Sequence, residues 1–199
     1  MMKRPSELLN DILHAPDGGE ITMGDFVELL GDRSFALIIL IFALPNIPPL
    51  GIPGISTITA LPILFMALQI LGGRDTIWLP SKVAQKRFEQ KRLTKVISKM
   101  LPAVLWLEKF LRPRLTMLCE SVGERAIGFL IIVMGLILIL PVIGGNFLPG
   151  VAIALLALAL LAKDGFLAAF GILFSLVSLS IMCSVVVVAS ESVIEWIAG

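Results

Sequence analysis

From Ser34 onward the chain is a succession of apolar runs cut by short clusters of proline, glycine and charge. Ser34–Leu44 is apolar, "PNIPPLGIPG" (45–54) interrupts it, and apolar sequence resumes from Ile55 to Leu71. The scheme returns later: Ala126–Leu140, the break "PVIGGNFLPG" (141–150), then Val151–Ala162. A last run, Phe166–Ala189, follows without a break. Helices that are apolar on every side belong in a bilayer or a large core. The first arm is short, since eleven helical residues rise about 16 Å against a hydrocarbon core of about 30 Å. Proline lacks a donor and restricts the residue before it, so the first arm stops near Pro45, and Pro62 predicts a kink in the second. Phe166–Ala189 is the one run expected to span alone.

Irregular backbone at membrane depth must be covered by protein or line a cavity. Two arrangements satisfy this. The expected one is a re-entrant hairpin with its proline-rich tip inside the bilayer, and the other is a pair of thin, tilted spans joined at the far surface. The polar stretches predict amphipathic helices. Residues 5–14 place Leu8, Leu9, Ile12 and Leu13 on one face, and 22–31 align Met23, Phe26, Val27 and Leu30, with Thr22 as N-cap. Residues 81–99 alternate basic residues with Val83, Phe88, Leu93, Val96 and Ile97, the pattern of a helix resting on anionic lipid. Residues 100–118 predict a further interfacial or docking helix, and Trp78 in "GGRDTIWLP" (72–80) suits the interface.

An internal repeat of about 90 residues organises these parts. "ELLGDR" (28–33) is matched by "ESVGER" (120–125), Pro45 by Pro141, "IPG" (52–54) by "LPG" (148–150), and "GRD" (73–75) by "AKD" (162–164). The expected fold class is an all-α integral membrane protein in one domain, 1–199. Repeat 1 covers 20–80, a basic linker 81–111, repeat 2 112–165 and the final transmembrane helix 166–189. Each repeat is a broken-helix hairpin with a Pro/Gly-rich tip. The repeats are related in parallel or inverted fashion.

Composition supports the membrane reading. The 199 residues are 57% hydrophobic and 16% charged, with a mean hydropathy of +0.98; soluble domains carry about a quarter charged residues. Charge is segregated. Residues 1–33 hold three basic against seven acidic residues, and 72–125 hold twelve basic against five acidic. The positive-inside rule puts the second block, and with it 1–33, in the cytoplasm, leaving the C-terminus exterior. The first 33 residues are mixed and acidic, which does not match a signal peptide. His14 is the only histidine, and Cys119 and Cys183 the only thiols, so neither a zinc site nor a structural disulfide is expected. Tyrosine is absent, as are "GxSxG", "GxxxxGK" and "GxGxxG", so no catalytic residue and no cofactor is assigned.

Taken together, "GDRSFALIILIFALPNIPPLGIPGISTITALPILFMALQILGGRDTIWLP" and its echo "GERAIGFLIIVMGLILILPVIGGNFLPG" resemble the exopolysaccharide synthesis ExoD family of bacterial inner-membrane proteins. The resemblance implies a link to extracellular polysaccharide production and a place in the bacterial inner membrane, and it carries no catalytic residues.

The residues that could form a ligand site or path are those at the breaks: Pro45, Asn46, Pro53, Gly54, Pro141, Asn146, Pro149 and Gly150. Broken helices present backbone donors and helix-end dipoles to ions or anionic groups; the plainer reading is that these loops only turn the chain. Charges at the hairpin mouths, Glu28, Arg33, Arg74, Asp75, Glu120, Arg125, Lys163 and Asp164, either anchor headgroup-level ends or gate a path. Two functions follow: a small transporter or channel-like protein for an ion or small anionic solute, or a non-transporting accessory protein of a polysaccharide-synthesis complex. Membrane lipids are expected partners, polysaccharide machinery a further one, and nucleic acid is not. A homodimer is expected on the ground that one chain offers little cover for two tips. Its candidate contact is the small-residue face of the last helix (Gly165, Ala168, Ala169, Gly171, Ser175, Ser178), although the same face could instead pack within the chain.

Overall fold

The structure is a computed structural model that describes residues 20–22, 24, 27, 31–47, 54–74, 76–89, 98, 119, 122–140 and 145–198. The expected helices at 5–14 and 100–118 lie outside these residues, as do the centres of both breaks. Among the described residues five apolar helices carry the fold: α1 (Ser34–Ala43), α2 (Ile55–Leu71), α3 (Val122–Ile139), α4 (Phe147–Ala162) and α5 (Gly165–Ala198). α1 gives way to a 3-10 turn, Leu44–Asn46, because Pro45 has no N–H to continue the ladder. α2 starts after Gly54, whose φ of 87° suits glycine and few other residues, and it runs on through Pro62.

Helices α1 to α4 close into a ring, α1 on α2, α2 on α3, α3 on α4 and α4 on α1, with α5 outside against α4 and α3. Two glycines let α2 and α3 approach. A Cβ on Gly128 would stand 2.9 Å from Ile70 Cγ2, and one on Gly135 2.9 Å from Leu64 Cδ2. These contacts also show that the two helices run antiparallel. Ile39, Ile63, Ile127, Ile131, Met134, Leu138, Ile153 and Leu156 fill the centre with no appreciable exposure.

The outside is as apolar as the inside. Phe129, Leu136, Phe166, Phe170, Leu173 and Val177 are exposed, and only 33% of the Val122–Ile139 window and 22% of the Gly165–Val188 window is buried. Core helices of soluble proteins are buried along most of their length; these two are long and apolar enough to cross a membrane and turn their greasy faces outward. The molecule is therefore an all-α membrane protein with two such helices. The sequence reading counted one, and α3 is the second: its 18 residues are uninterrupted where α1 stops after ten.

Thr22 ends a strand, β1 (Glu20–Thr22), and Gly24 and Val27 beyond it are helical, with Val27 buried. Two expectations at the element level change. The basic helix over 81–99 does not form across its first half. Ser81–Ala84 makes one turn, and β2 (Arg87–Glu89) pairs antiparallel with β1, Ile21 opposite Phe88. β-prone Ile21, Thr22 and Phe88 find partners in a ladder that an isolated turn of helix cannot supply. Finally, the small-residue face of α5 is already used inside the chain. Ala168 and Ser175 are fully buried, Gly165, Gly171 and Ser178 nearly so, and a Cβ on Gly171 would stand 3.0 Å from Leu156 Cδ2. Of the set only Ala169 is exposed. Intramolecular packing therefore takes the face proposed for a dimer.

Candidate functional site

The two breaks in the apolar sequence come together. Asn46, at the end of the 3-10 turn, is 5% exposed and donates through Nδ2 to Phe42 O (3.1 Å) and to Thr59 Oγ1 (2.9 Å) on the first turns of α2. The Thr59 hydroxyl also lies within reach of the Ile55 and Ser56 carbonyls, at 3.0 and 3.1 Å. Asn146, immediately before α4, donates through Nδ2 to Ser56 Oγ at 2.8 Å. Gly150 closes the contact: a Cβ there would stand 2.8 Å from Asn46 Cβ and 3.1 Å from its carbonyl oxygen. Asn46 and Asn146 thus each reach the other break.

The starts of α2 and α4 consequently face one locus. Neither helix has a side-chain cap from its N-cap residue or an acidic residue in its first turn, so among the described residues no anionic group meets the leading N–H groups and the positive ends of both dipoles. Asn146 Oδ1 is buried and has no hydrogen-bond partner. Polar groups buried without a partner are uncommon, and each calls for an explanation.

Of the sequence-selected residues at the breaks, Asn46, Pro149 and Gly150 are buried, Asn146 is half-buried, and Pro45 and Gly54 are exposed. Pro53 and Pro141 lie outside the described residues. "IPG" and "LPG" do not occupy equivalent places. Gly54 precedes α2 in a left-handed conformation, whereas Pro149 and Gly150 sit within the first turn of α4. Proline is tolerated there because first-turn N–H groups have no intrahelical acceptor. Ser56 and Thr59 were missed. The run "ISTIT" after the proline block is the signal: hydroxyls in a helix's first turns, in otherwise apolar sequence.

The charged residues gather at the opposite end, where α1, α3 and α5 begin and α2 and α4 finish. α2 ends with Gly73 N–H on Ile70 O (2.9 Å) and Arg74 N–H on Gln69 O (3.1 Å); α4 ends the same way, through Lys163 on Leu160 O (3.3 Å) and Asp164 on Ala159 O (3.1 Å). Gly73 and Lys163 both adopt positive φ, 70° and 51°. Buried Asp164 then caps α5, its Oδ1 accepting from the N–H groups of Phe166 (2.9 Å) and Leu167 (3.3 Å). Arg125 crosses from α3 to the end of α2, lying against Gly73. Arg33 is half-buried at the start of α1, and Arg74 is exposed. Glu28, Asp75 and Glu120 lie outside the described residues. Among the described residues no group of three His, Cys, Asp or Glu side chains could hold a metal ion.

The fold and this arrangement define an all-α membrane protein in which, among the described residues, polar side chains of two chain breaks meet between apolar helices. The sequence profile of the family "Exopolysaccharide synthesis, ExoD" matches residues 5–184, so the chain belongs to that family. It is 31% identical over 174 residues to Protein ExoD of Rhizobium meliloti, covering 85% of this chain and 72% of that one. It is 28% identical over 189 residues to an uncharacterized protein of Synechocystis, covering 94% and 89%. No solved structure matches.

Proposed function

We propose that this ExoD-family membrane protein is a small transporter or channel-like protein whose solute, an ion or small anion, binds where the two breaks meet. One observation carries the reading. The uncapped starts of α2 and α4 are held together by the Asn146–Ser56 hydrogen bond and the Asn46–Gly150 contact. Two positive helix ends at one point in an apolar bundle favour an anion or a solute's anionic group, the device used by transporters built on broken helices. No catalytic residue is assigned.

The same proposal takes 20–80 and 112–165 as repeats, each a hairpin that enters and leaves the bilayer on the cytoplasmic side, with 81–111 as linker. The matching ends of α2 and α4 support it. So does packing: Gly128 and Gly135 on α3 correspond, in the "GDR"/"GER" register, to Ala36 and Ala43 on α1, all four small, buried and seven apart. The protein is then multi-pass in the bacterial inner membrane, with its N-terminus and 81–118 cytoplasmic. The homodimer is not carried forward, because Asn46, Pro149 and Gly150 are buried within one chain and the small face of α5 is occupied.

The test is flux through reconstituted protein across a panel of inorganic ions and small organic anions. Wild type should conduct at least one solute, and Asn146→Leu, which replaces the amide with hydrocarbon of similar size, should abolish that flux while the protein still folds. Absence of flux for every solute, with co-purification of a polysaccharide synthase, would establish the accessory function instead.

A further inference from the structure

We infer that the end of the bundle opposite the breaks carries a binding site for the phosphate of an anionic lipid, centred on Arg125. This inference is independent of transport and needs only the membrane location. Gly73 provides the first observation. A Cβ on it would stand 2.5 Å from Arg125 Nη2, 3.0 Å from Cζ and 3.1 Å from Nε, so the guanidinium occupies the space that any other residue's side chain would take. The φ of 70° at Gly73 disfavours a side chain for a separate reason. Arg125 thus lies against the Gly73 backbone, it is exposed, and among the described residues no carboxylate pairs with it. An exposed guanidinium with no carboxylate partner among the described residues is suited to bidentate recognition of phosphate.

Depth and direction point to lipid over a soluble phosphate. Phe129 is one turn along α3, on the same face as Arg125 and about 6 Å further into the bilayer. It is 56% exposed, and Leu136, two turns beyond, is 54% exposed. One stripe of α3 therefore places a cation over an outward-facing apolar track, the order of phosphate and acyl chain in a lipid. The loop after Gly73 adds to the headgroup-level surface. Trp78 is 54% exposed, its backbone N–H held by Gln69 Oε1 at 2.7 Å and its ring 6.3 Å from that of Phe65. Indoles so placed favour the headgroup region. Arg74, Lys82 and Lys86 on the same loop are exposed and likewise without an ion pair among the described residues.

Native mass spectrometry of the full chain, delipidated in mild detergent and mixed with phosphatidylglycerol or phosphatidylcholine of the same acyl chains, tests the site. Wild type should retain phosphatidylglycerol in preference. Arg125→Gln should lower that retention by about fivefold, the factor one basic residue contributes at an anionic surface, and Arg125→Lys should restore it only partly. Lys86→Gln removes an equal charge from the loop and should cost less. Helicity by circular dichroism checks folding, and should Arg125→Gln fail to fold, the lysine variant decides. Unchanged retention in Arg125→Gln, equal losses in Arg125→Gln and Lys86→Gln, or binding of inorganic phosphate without preference for phosphatidylglycerol would each overturn the inference.

Discussion

Lys163 and Gly73 end their helices with the same pair of backbone hydrogen bonds, but only one of them is glycine. A left-handed conformation costs a residue with a Cβ roughly 1–2 kcal/mol, offset in part because glycine loses more freedom on folding. Lys163→Gly should therefore stabilise by about 0.5–1 kcal/mol and raise the thermal midpoint by about 1–4 °C in a detergent melt. A lower midpoint would show that the lysine side chain contributes more than its backbone conformation costs. At the breaks the sign reverses. Gly150→Ala drives a methyl against the Cβ and backbone of Asn46, neither of which is the end of a flexible side chain. The loss should be about 1–3 kcal/mol, read in the same melt. Asn46→Ala should cost about 1–2 kcal/mol, because Thr59 keeps the Ile55 and Ser56 carbonyls as acceptors while Phe42 O loses a donor. Asn46 and Asn146 stood out in the sequence as polar residues beside prolines in apolar surroundings. Their partners were not, since Ser56 is 90 positions from Asn146.

Among the elements, α5 changed most between sequence and structure. Its hydropathy is a local property and was read directly, although the helix runs on past the apolar run of 166–189 to Ala198. Which face it buries is not local: a helix apolar all round has no amphipathic stripe to point inward. Small residues permit close approach without naming the partner, and α4 supplies it. Ala168→Leu and Ser175→Leu should consequently lower the thermal midpoint, each by about 1–3 kcal/mol of overpacking, with no change in the oligomeric mass seen by native mass spectrometry. A shift in mass at constant midpoint would return that face to an interface between copies. The stretch from Ser81 to Glu89 teaches a related point. Its apolar spacing fits a helix, but strand β1, about 65 residues earlier in the chain, offers a ladder, and long-range pairing overrides the local pattern.

At the scale of the whole molecule, cations and Trp78 collect where α2 and α4 end, and the polar breaks meet at the other end. With the cationic end cytoplasmic, a cysteine placed at Lys82 should react with a membrane-impermeant maleimide only after the cells are permeabilised, in a background lacking Cys119 and Cys183. Labelling from outside would invert the topology. Membrane character, the existence of the two helix breaks, the family and the segregation of charge were all determined by the sequence alone, because each depends on composition or on the backbone rules for proline and glycine within a few residues; the second break ended earlier than expected, since α4 takes in Pro149 and Gly150. Tertiary structure decided the rest: that Asn46 rests on Gly150, that Asn146 reaches Ser56, that Arg125 fills the space Gly73 leaves, and that α5 turns its small face inward. Those are contacts between segments tens of residues apart, and among uniformly apolar helices no local pattern distinguishes the side that meets lipid from the side that meets protein.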